Sequence, residues 1–279
     1  MQIFTKDFLN HAEQNISEEL EKNGYFCFEN ALTEEFITAI FESIEKNRFG
    51  INNNWVRGVY TESQYYFTHM LPVSKEFYSY VTHEKVMRIS KRILGDQIRL
   101  KAMRYYETMG GHQMQWHSDN KTDKGFAHIP GIILICYLVD VNDGEFQYVS
   151  GSHEWSGTRA YSDYTDDEIE GKFADQIVSF KKPAGSIVIY NTYGVHRAKP
   201  IKDKNYTRKS LFFQVDSDMK SAEPIILNPS FCEDLTDEKK NYLGFGMDSN
   251  YQIFPNTKLK DHPLTPSICK ELWVGSAID

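Results

Sequence analysis

The chain has 279 residues, 41% hydrophobic and 25% charged, which are the proportions of a folded globular protein. A formal net charge of -8 with no run of Lys or Arg argues against nucleic acid or an anionic membrane surface as partners. Met1 leads into Gln2-Ile3-Phe4-Thr5-Lys6-Asp7, with no basic start and apolar stretch, so no signal peptide is expected. The longest apolar run, Ile132 to Val139, is too short to span a bilayer. Four scattered cysteines (Cys27, Cys136, Cys232, Cys269) without a C-x-x-C spacing read as reduced thiols of a cytoplasmic protein.

In chain order, residues 6–22 carry Phe8, Leu9, Ala12, Ile16 and Leu20 on one side of a first helix, with Gly24 past its end. Gly24 to Phe28 reads as a short buried strand. Thr33 is an N-cap candidate, and Glu34 and Glu35 then sit in the positive first turn of a second helix faced by Phe36, Ile37, Ile40, Phe41 and Ile44. Asn47 to Leu71, rich in Asn and Tyr and containing Arg57, is read as irregular, either an exposed loop or a wall of a substrate pocket. A third helix is expected from about Glu84 to Leu94, closed by Gly95-Asp96.

From Ile98 onward strands take over: Ile98–Glu107, Met114–Ser118, Gly131–Val139, Glu145–Val149, Gln176–Phe180, Ser186–Tyr190 and Thr207–Asp216. Gly110-Gly111, Asn142-Asp143-Gly144, Gly151-Ser152 and Pro183-Ala184-Gly185 supply the turns between them. Many short strands with such turns point to a double-sheet jelly roll with helices packed outside. Alternation sets Lys101, Met103 and Tyr105 on one face of their strand and Arg104 and Tyr106 on the other, without saying which face is inward. Glu154 to Asp175, long and acidic, suits a solvated insertion or a lid. The tail after Lys220 shows no steady period. The domain reading is a single unit, with residues 1–97 mostly helical, 98–216 the jelly-roll core and 217–279 a C-terminal extension.

The stretch Gln115-Trp116-His117-Ser118-Asp119-Asn120 carries the chemistry. Residues i and i+2 of a strand share a face, so His117 and Asp119 can aim at one point. With one further His they make the two-His-one-carboxylate set that suits Fe(II) and leaves sites open for oxygen and a cosubstrate. His196, after the apolar run Ser186 to Tyr190 and just beyond Gly194, is the best third ligand; His112, His128 and His153 are weaker candidates. Twelve residues on, Arg208 opens a strand whose Arg208, Ser210, Phe212 and Gln214 share a face. An inward guanidinium needs a carboxylate partner, which a dicarboxylate cosubstrate would supply with help from the Ser210 hydroxyl. The alternative is that Arg208 or Lys209 faces solvent at a strand edge.

Taken together, these pieces resemble the phytanoyl-CoA dioxygenase family of Fe(II)/2-oxoglutarate-dependent oxygenases. The likeness runs through Gly24-Tyr25-Phe26, Ala31-Leu32-Thr33-Glu34-Glu35, Ile93-Leu94-Gly95, Trp116-His117-Ser118-Asp119 and Leu138-Val139-Asp140. It continues through Asn142 to Phe146, Val149-Ser150-Gly151-Ser152-His153 (with Ser150 where Pro is usual), Ala184-Gly185-Ser186, and the interval from His196 to Arg208. The resemblance implies a double-stranded β-helix that holds Fe(II) through His117, Asp119 and His196. It also implies 2-oxoglutarate bound by the metal and by Arg208, helped by Ser210, with O2 as the other reactant. Succinate and CO2 would leave as a C–H of a small organic metabolite is hydroxylated. Asp119 stands where halogenating relatives have a small residue, which favours hydroxylation or a related oxidation over halogenation, and His153 reads as part of a turn. A CoA ester fits poorly with an acidic chain unless Arg57, Arg99 and Lys101 gather at the mouth. The alternatives are a non-oxygenase metal-binding cupin-type isomerase, a small-molecule-binding protein, or hydrolytic Zn(II) chemistry.

Overall fold

The computed structural model describes residues 1–52, 58–61, 63–67, 70–112, 114–119, 131–155, 164–217, 219, 222, 225–247 and 273–274. Its helical first third comprises α1 (Lys6–Asn10), α2 (Glu13–Asn23), α3 (Glu34–Asn52), α4 (Lys75–Val81) and α5 (Glu84–Leu94). Three strands are interleaved with these helices: β1 (Tyr25–Phe28), β2 (Gly58–Thr61) and β3 (Gln64–Phe67). The strand-rich part holds β4 (Arg99–Met109), β5 (Gly131–Tyr137), β6 (Phe146–Val149), α6 (Asp166–Lys172), β7 (Ile177–Phe180), β8 (Ile187–Asn191), β9 (His196–Ala198) and β10 (Thr207–Asp216). The tail adds β11 (Ile226–Leu227), α7 (Asp237–Leu243) and β12 (Trp273–Val274). No helix among the described residues is long and apolar enough to cross a membrane.

Two antiparallel sheets face one another. The major sheet runs β1-β8-β5-β10-β4-β3-β2 and the minor one β7-β6-β9. The period-two alternation of β10 places Leu211, Phe213 and Val215 in the core beneath the helices and turns Arg208, Ser210 and Phe212 the other way, onto the cavity between the sheets. Met103 and Tyr105 of β4 likewise join the helix-side core with Phe36, Phe77 and Tyr80, so Arg104 and Tyr106 are the inward pair. Between the sheets Tyr25, Ile133, Tyr137, Val188 and Tyr190 pack on Phe146, Tyr148 and Phe180. β5 is covered on both faces, which is why it reads as a continuous apolar run. This is the jelly-roll core expected from the strand pattern.

Several expectations need correction. The first helix is two helices: His11 and Ala12 are extended. The carbonyls freed there are taken by the buried Lys85 of α5, whose Nζ donates to Leu9 O at 3.2 Å and to His11 O and pairs with Glu13 at 3.0 Å. Asn47–Leu71 is not irregular throughout, since α3 continues to Asn52 and β2–β3 forms a hairpin that extends the major sheet, Gln64 facing Thr108. Arg57 lies outside the described residues. Met114–Ser118 is not a strand but two isolated bridges, Trp116 to Tyr164 and His117 to His196. Its partner changes to Thr192 by Asp119, so no ladder can run along it. The acidic insertion contains α6, closed by a capping box between Thr165 and Glu168. Arg99 and Lys101 are buried, and Arg99 packs on Gly244 of the tail, where an added Cβ would lie 2.7 Å from Arg99 Nε.

Candidate active site

A cavity of about 280 Å³ lies between the sheets, and its wall includes His117, Asp119, His196, Arg208 and Ser210. His196 opens β9, and its backbone N–H and C=O exchange hydrogen bonds of 2.8 and 3.0 Å with His117. Asp119 N donates to Thr192 O at 3.1 Å, so all three side chains are fixed by one short segment of backbone pairing. Their ligand atoms lie within 4.8 Å of one another. Asp119 Oδ2 is 3.3 Å from His196 Nε2, and Oδ1 is 3.8 Å from His117 Nε2. Among the described residues, His117, Asp119 and His196 are the sole group of three or more histidine, cysteine or carboxylate side chains placed to hold one metal ion.

The donor set fits a metal by its tautomers. His117 Nδ1 lies 2.8 Å from Gln115 O and His196 Nδ1 lies 2.9 Å from Gly194 O. A carbonyl only accepts, so each Nδ1 carries the hydrogen and each Nε2 presents its lone pair toward Asp119. Burial lowers the His196 pKa to about 4, keeping that lone pair available near neutrality. Tyr190 Oη donates to Asp119 Oδ2 at 3.1 Å and lies 3.4 Å from His196 Nε2. Burial first, then the Asp119 carboxylate, holds the Tyr190 hydroxyl protonated far above its ordinary range. Sequence reading passed over Tyr190; the available signal was its place two residues after Val188 on an inward strand face.

Arg208 is 7% exposed and turned inward, not set at a solvent edge. It donates to Gly144 O and forms no ion pair among the described residues. Desolvation lowers its pKa, opposed by Tyr137, Tyr206, Glu145 and Tyr106. Ser210 faces Tyr106 on one neighbouring strand and Tyr137 on the other, and all three line the cavity. His112 stands outside the triad, with Nδ1 3.4 Å from Ser63 Oγ and a pKa lowered to about 4 by burial and by Arg208. His153 is packed beneath Gly24 and its Nε2 donates to Glu21 O at 3.1 Å, a contact of the turn. His128 lies outside the described residues.

The fold and this site define the class: a double-stranded β-helix with two imidazoles and a carboxylate converging on an inter-sheet cavity. The model of the phytanoyl-CoA dioxygenase (PhyH) family matches residues 20–210, more than half of the chain, and the chain belongs to that family. Enzymes of the family use Fe(II), 2-oxoglutarate and O2. No curated protein matches the chain by sequence. Among solved structures, HygX from Streptomyces hygroscopicus, crystallised with nickel and 2-oxoglutarate, is similar with a TM-score of 0.58 at 11% identity, over 74% of this chain and 87% of that one. SnoK, a non-heme α-ketoglutarate-dependent carbocyclase from nogalamycin biosynthesis, gives 0.58 at 16% identity over 75% and 85%. The epimerase SnoN, in complex with Fe3+, α-ketoglutarate and nogalamycin RO, gives 0.57 at 15% identity over 73% and 83%. At such identities the likeness is one of fold.

Proposed function

We propose that the protein is an Fe(II)- and 2-oxoglutarate-dependent dioxygenase that hydroxylates an unactivated C–H of a small organic metabolite. The observation that carries this reading is that His117, Asp119 and His196 share one cavity with an inward Arg208. His117, Asp119 and His196 would hold Fe(II). Once bound, the ion with O2 supplies the oxidising power, and 2-oxoglutarate supplies two electrons and leaves as succinate and CO2.

The chain's own part is placement. The Gln115 and Gly194 carbonyls fix both imidazoles with Nε2 inward, and the Tyr190 hydroxyl holds the Asp119 carboxylate. Arg208 would take the far carboxylate of 2-oxoglutarate as a bidentate pair, and Ser210 adds a hydroxyl. Ile135, Phe146 and Phe212 keep that part of the wall apolar, so that charge pairing inside is weakly screened.

The reading is tested by adding 2-oxoglutarate to anaerobic Fe(II) protein and recording the visible metal-to-ligand charge-transfer band. The band should appear in wild type and be lost at the same 2-oxoglutarate concentration in Arg208→Ala. Absence of a band in the wild type would sink the reading and leave a cupin-type isomerase or a binding protein. Because SnoK is a carbocyclase and SnoN an epimerase, product mass decides the outcome: a gain of one oxygen marks hydroxylation.

A further inference from the structure

Tyr190 touches two members of the His117, Asp119 and His196 set at once. It lies on β8, paired with Tyr25 of β1 on one side and Ile133 of β5 on the other. Its ring centroid stands 4.6 Å from that of His196, which Phe146 and Tyr148 also flank at 5.5 and 6.4 Å. Its hydroxyl reaches past that imidazole to the carboxylate, with Oη 3.1 Å from Asp119 Oδ2 and 3.4 Å from His196 Nε2. Thr192, just beyond β8, holds the backbone of Asp119 through its carbonyl. Among the described residues, Tyr190 is the one hydrogen-bond donor to the Asp119 carboxylate.

That carboxylate can meet an ion in two ways. Each oxygen is nearest a different imidazole, Oδ2 at 3.3 Å from His196 Nε2 and Oδ1 at 3.8 Å from His117 Nε2. Both oxygens therefore face the pair of imidazoles, and a carboxylate binds a cation through one oxygen or chelates it through both. The terminal torsion of Asp is broad and does not choose between them. The choice has a chemical consequence. Two imidazoles and one oxygen fill half of an octahedron, whereas a chelating carboxylate takes one position more. A chelating cosubstrate and O2 together need the whole of the other half. A hydrogen bond to Oδ2 pins the torsion and draws on that oxygen's lone pairs, which leaves Oδ1 for the metal. When His196 Nε2 gives its lone pair to an ion, the hydroxyl hydrogen of Tyr190 is left to Asp119.

We propose that Tyr190 is the positioning residue that makes Asp119 a one-oxygen ligand and so keeps a third metal position open. Its ring braces His196 while its hydroxyl sets the carboxylate, so a single side chain of β8 governs two of the three ligands. The inference rests on the oxygenase reading and adds how the metal carboxylate is confined to one mode of binding.

The test uses full-length protein saturated with Mn(II), where no turnover occurs. Proton relaxation of the solvent counts the water molecules bound to the ion. Wild type should carry about three, falling to about one when 2-oxoglutarate is added. Tyr190→Phe keeps the ring against His196 and removes only the hydroxyl. Its freed carboxylate should chelate, so that about two water molecules remain and the relaxivity drops by about one third. Adding 2-oxoglutarate to the variant should then remove nearly all of the remaining enhancement. Without metal, the urea midpoint of Tyr190→Phe should stay near that of wild type, because Asp119 is exposed enough to rehydrate. A wild-type protein that binds no Mn(II), or whose relaxivity 2-oxoglutarate leaves unchanged, overturns the oxygenase reading and this inference with it. A wild type that behaves as expected beside a variant with the same water counts overturns this inference alone. So does a variant whose metal-free urea midpoint collapses, since the hydroxyl would then be a general structural partner.

Discussion

Replacing Arg208 by Met separates a binding role from a structural one. The guanidinium is 7% exposed and donates to Gly144 O, with no carboxylate of a described residue paired to it. In the protein without cosubstrate, Met removes a desolvated charge and leaves one carbonyl unbonded. The two effects oppose each other, so stability should change by no more than about 1–1.5 kcal/mol. Binding should behave differently. Two charge-assisted hydrogen bonds to a carboxylate are together worth about 3 kcal/mol or more, a rise in Kd of about 150-fold. At 2-oxoglutarate equal to one hundred times the wild-type Kd, linkage stabilises wild type by about 2.7 kcal/mol, and the variant by only about 0.3 kcal/mol. For a chain of this size that is a Tm rise of roughly 5–8 °C against about 1 °C. The assay is thermal unfolding of Mn(II)-loaded protein across a 2-oxoglutarate titration, where no turnover occurs. An Arg208→Met protein with the wild-type shift refutes the reasoning. So does one that has lost several kcal/mol without ligand, because Arg208 would then be a structural partner.

Three further outcomes are expected. Arg197, buried beside His196, donates to Gln147 at 2.9 Å, Asp166 at 2.7 Å and Glu170 at 2.5 Å, and its Cζ lies 4.3 Å from the Trp116 ring centroid. Arg197→Gln should cost about 2 kcal/mol in urea unfolding and raise proteolytic cleavage near α6, its carboxylate partners being exposed enough to rehydrate. Gly194→Ala would set a Cβ 1.7 Å from the Tyr148 hydroxyl and 2.0 Å from Cζ, inside a buried cluster. It should destabilise by about 3 kcal/mol, with metal affinity falling too because Gly194 O orients His196; calorimetry with Mn(II) checks both. His112 is the pH probe. Its pKa is about 4 when folded against 6.5 for an ordinary imidazole, so the unfolded chain takes up its proton first as pH falls. Its contribution to stability is complete above pH 6.5 and is lost as pH drops toward 4. Urea midpoints measured across that window should fall less steeply for His112→Asn than for wild type; equal slopes would count against it.

Much of this protein could be read from local pattern. β10 runs over Thr207–Asp216 and α5 over Glu84–Leu94 as read, because each carries a complete period and its own stop signals: alternation in one, an apolar stripe ended by Gly95 in the other. The helix break at His11 and Ala12 was not readable, because the residue that satisfies it, Lys85, is remote in sequence. The β2–β3 hairpin was hidden for a similar reason: its strands are four residues long and are placed by Glu107 and Thr108 of β4 more than by their own composition.

The spacing of His117 and Asp119 and the later His196 could be named as a candidate set from residue types alone, since metal chemistry constrains identity more than position. Their convergence was not a property of strand alternation, the argument that first suggested it. It comes from paired hydrogen bonds between His117 and His196 and from the hold of Thr192 on Asp119. The sequence by itself determined the longer strands such as β4, β5 and β10, the alternation of their faces, and the chemistry on offer. Only the tertiary structure decided which face of β4 looks inward and that two guanidiniums share one cavity, because a face is inward only relative to a second sheet and that sheet is assembled from segments far away in the chain.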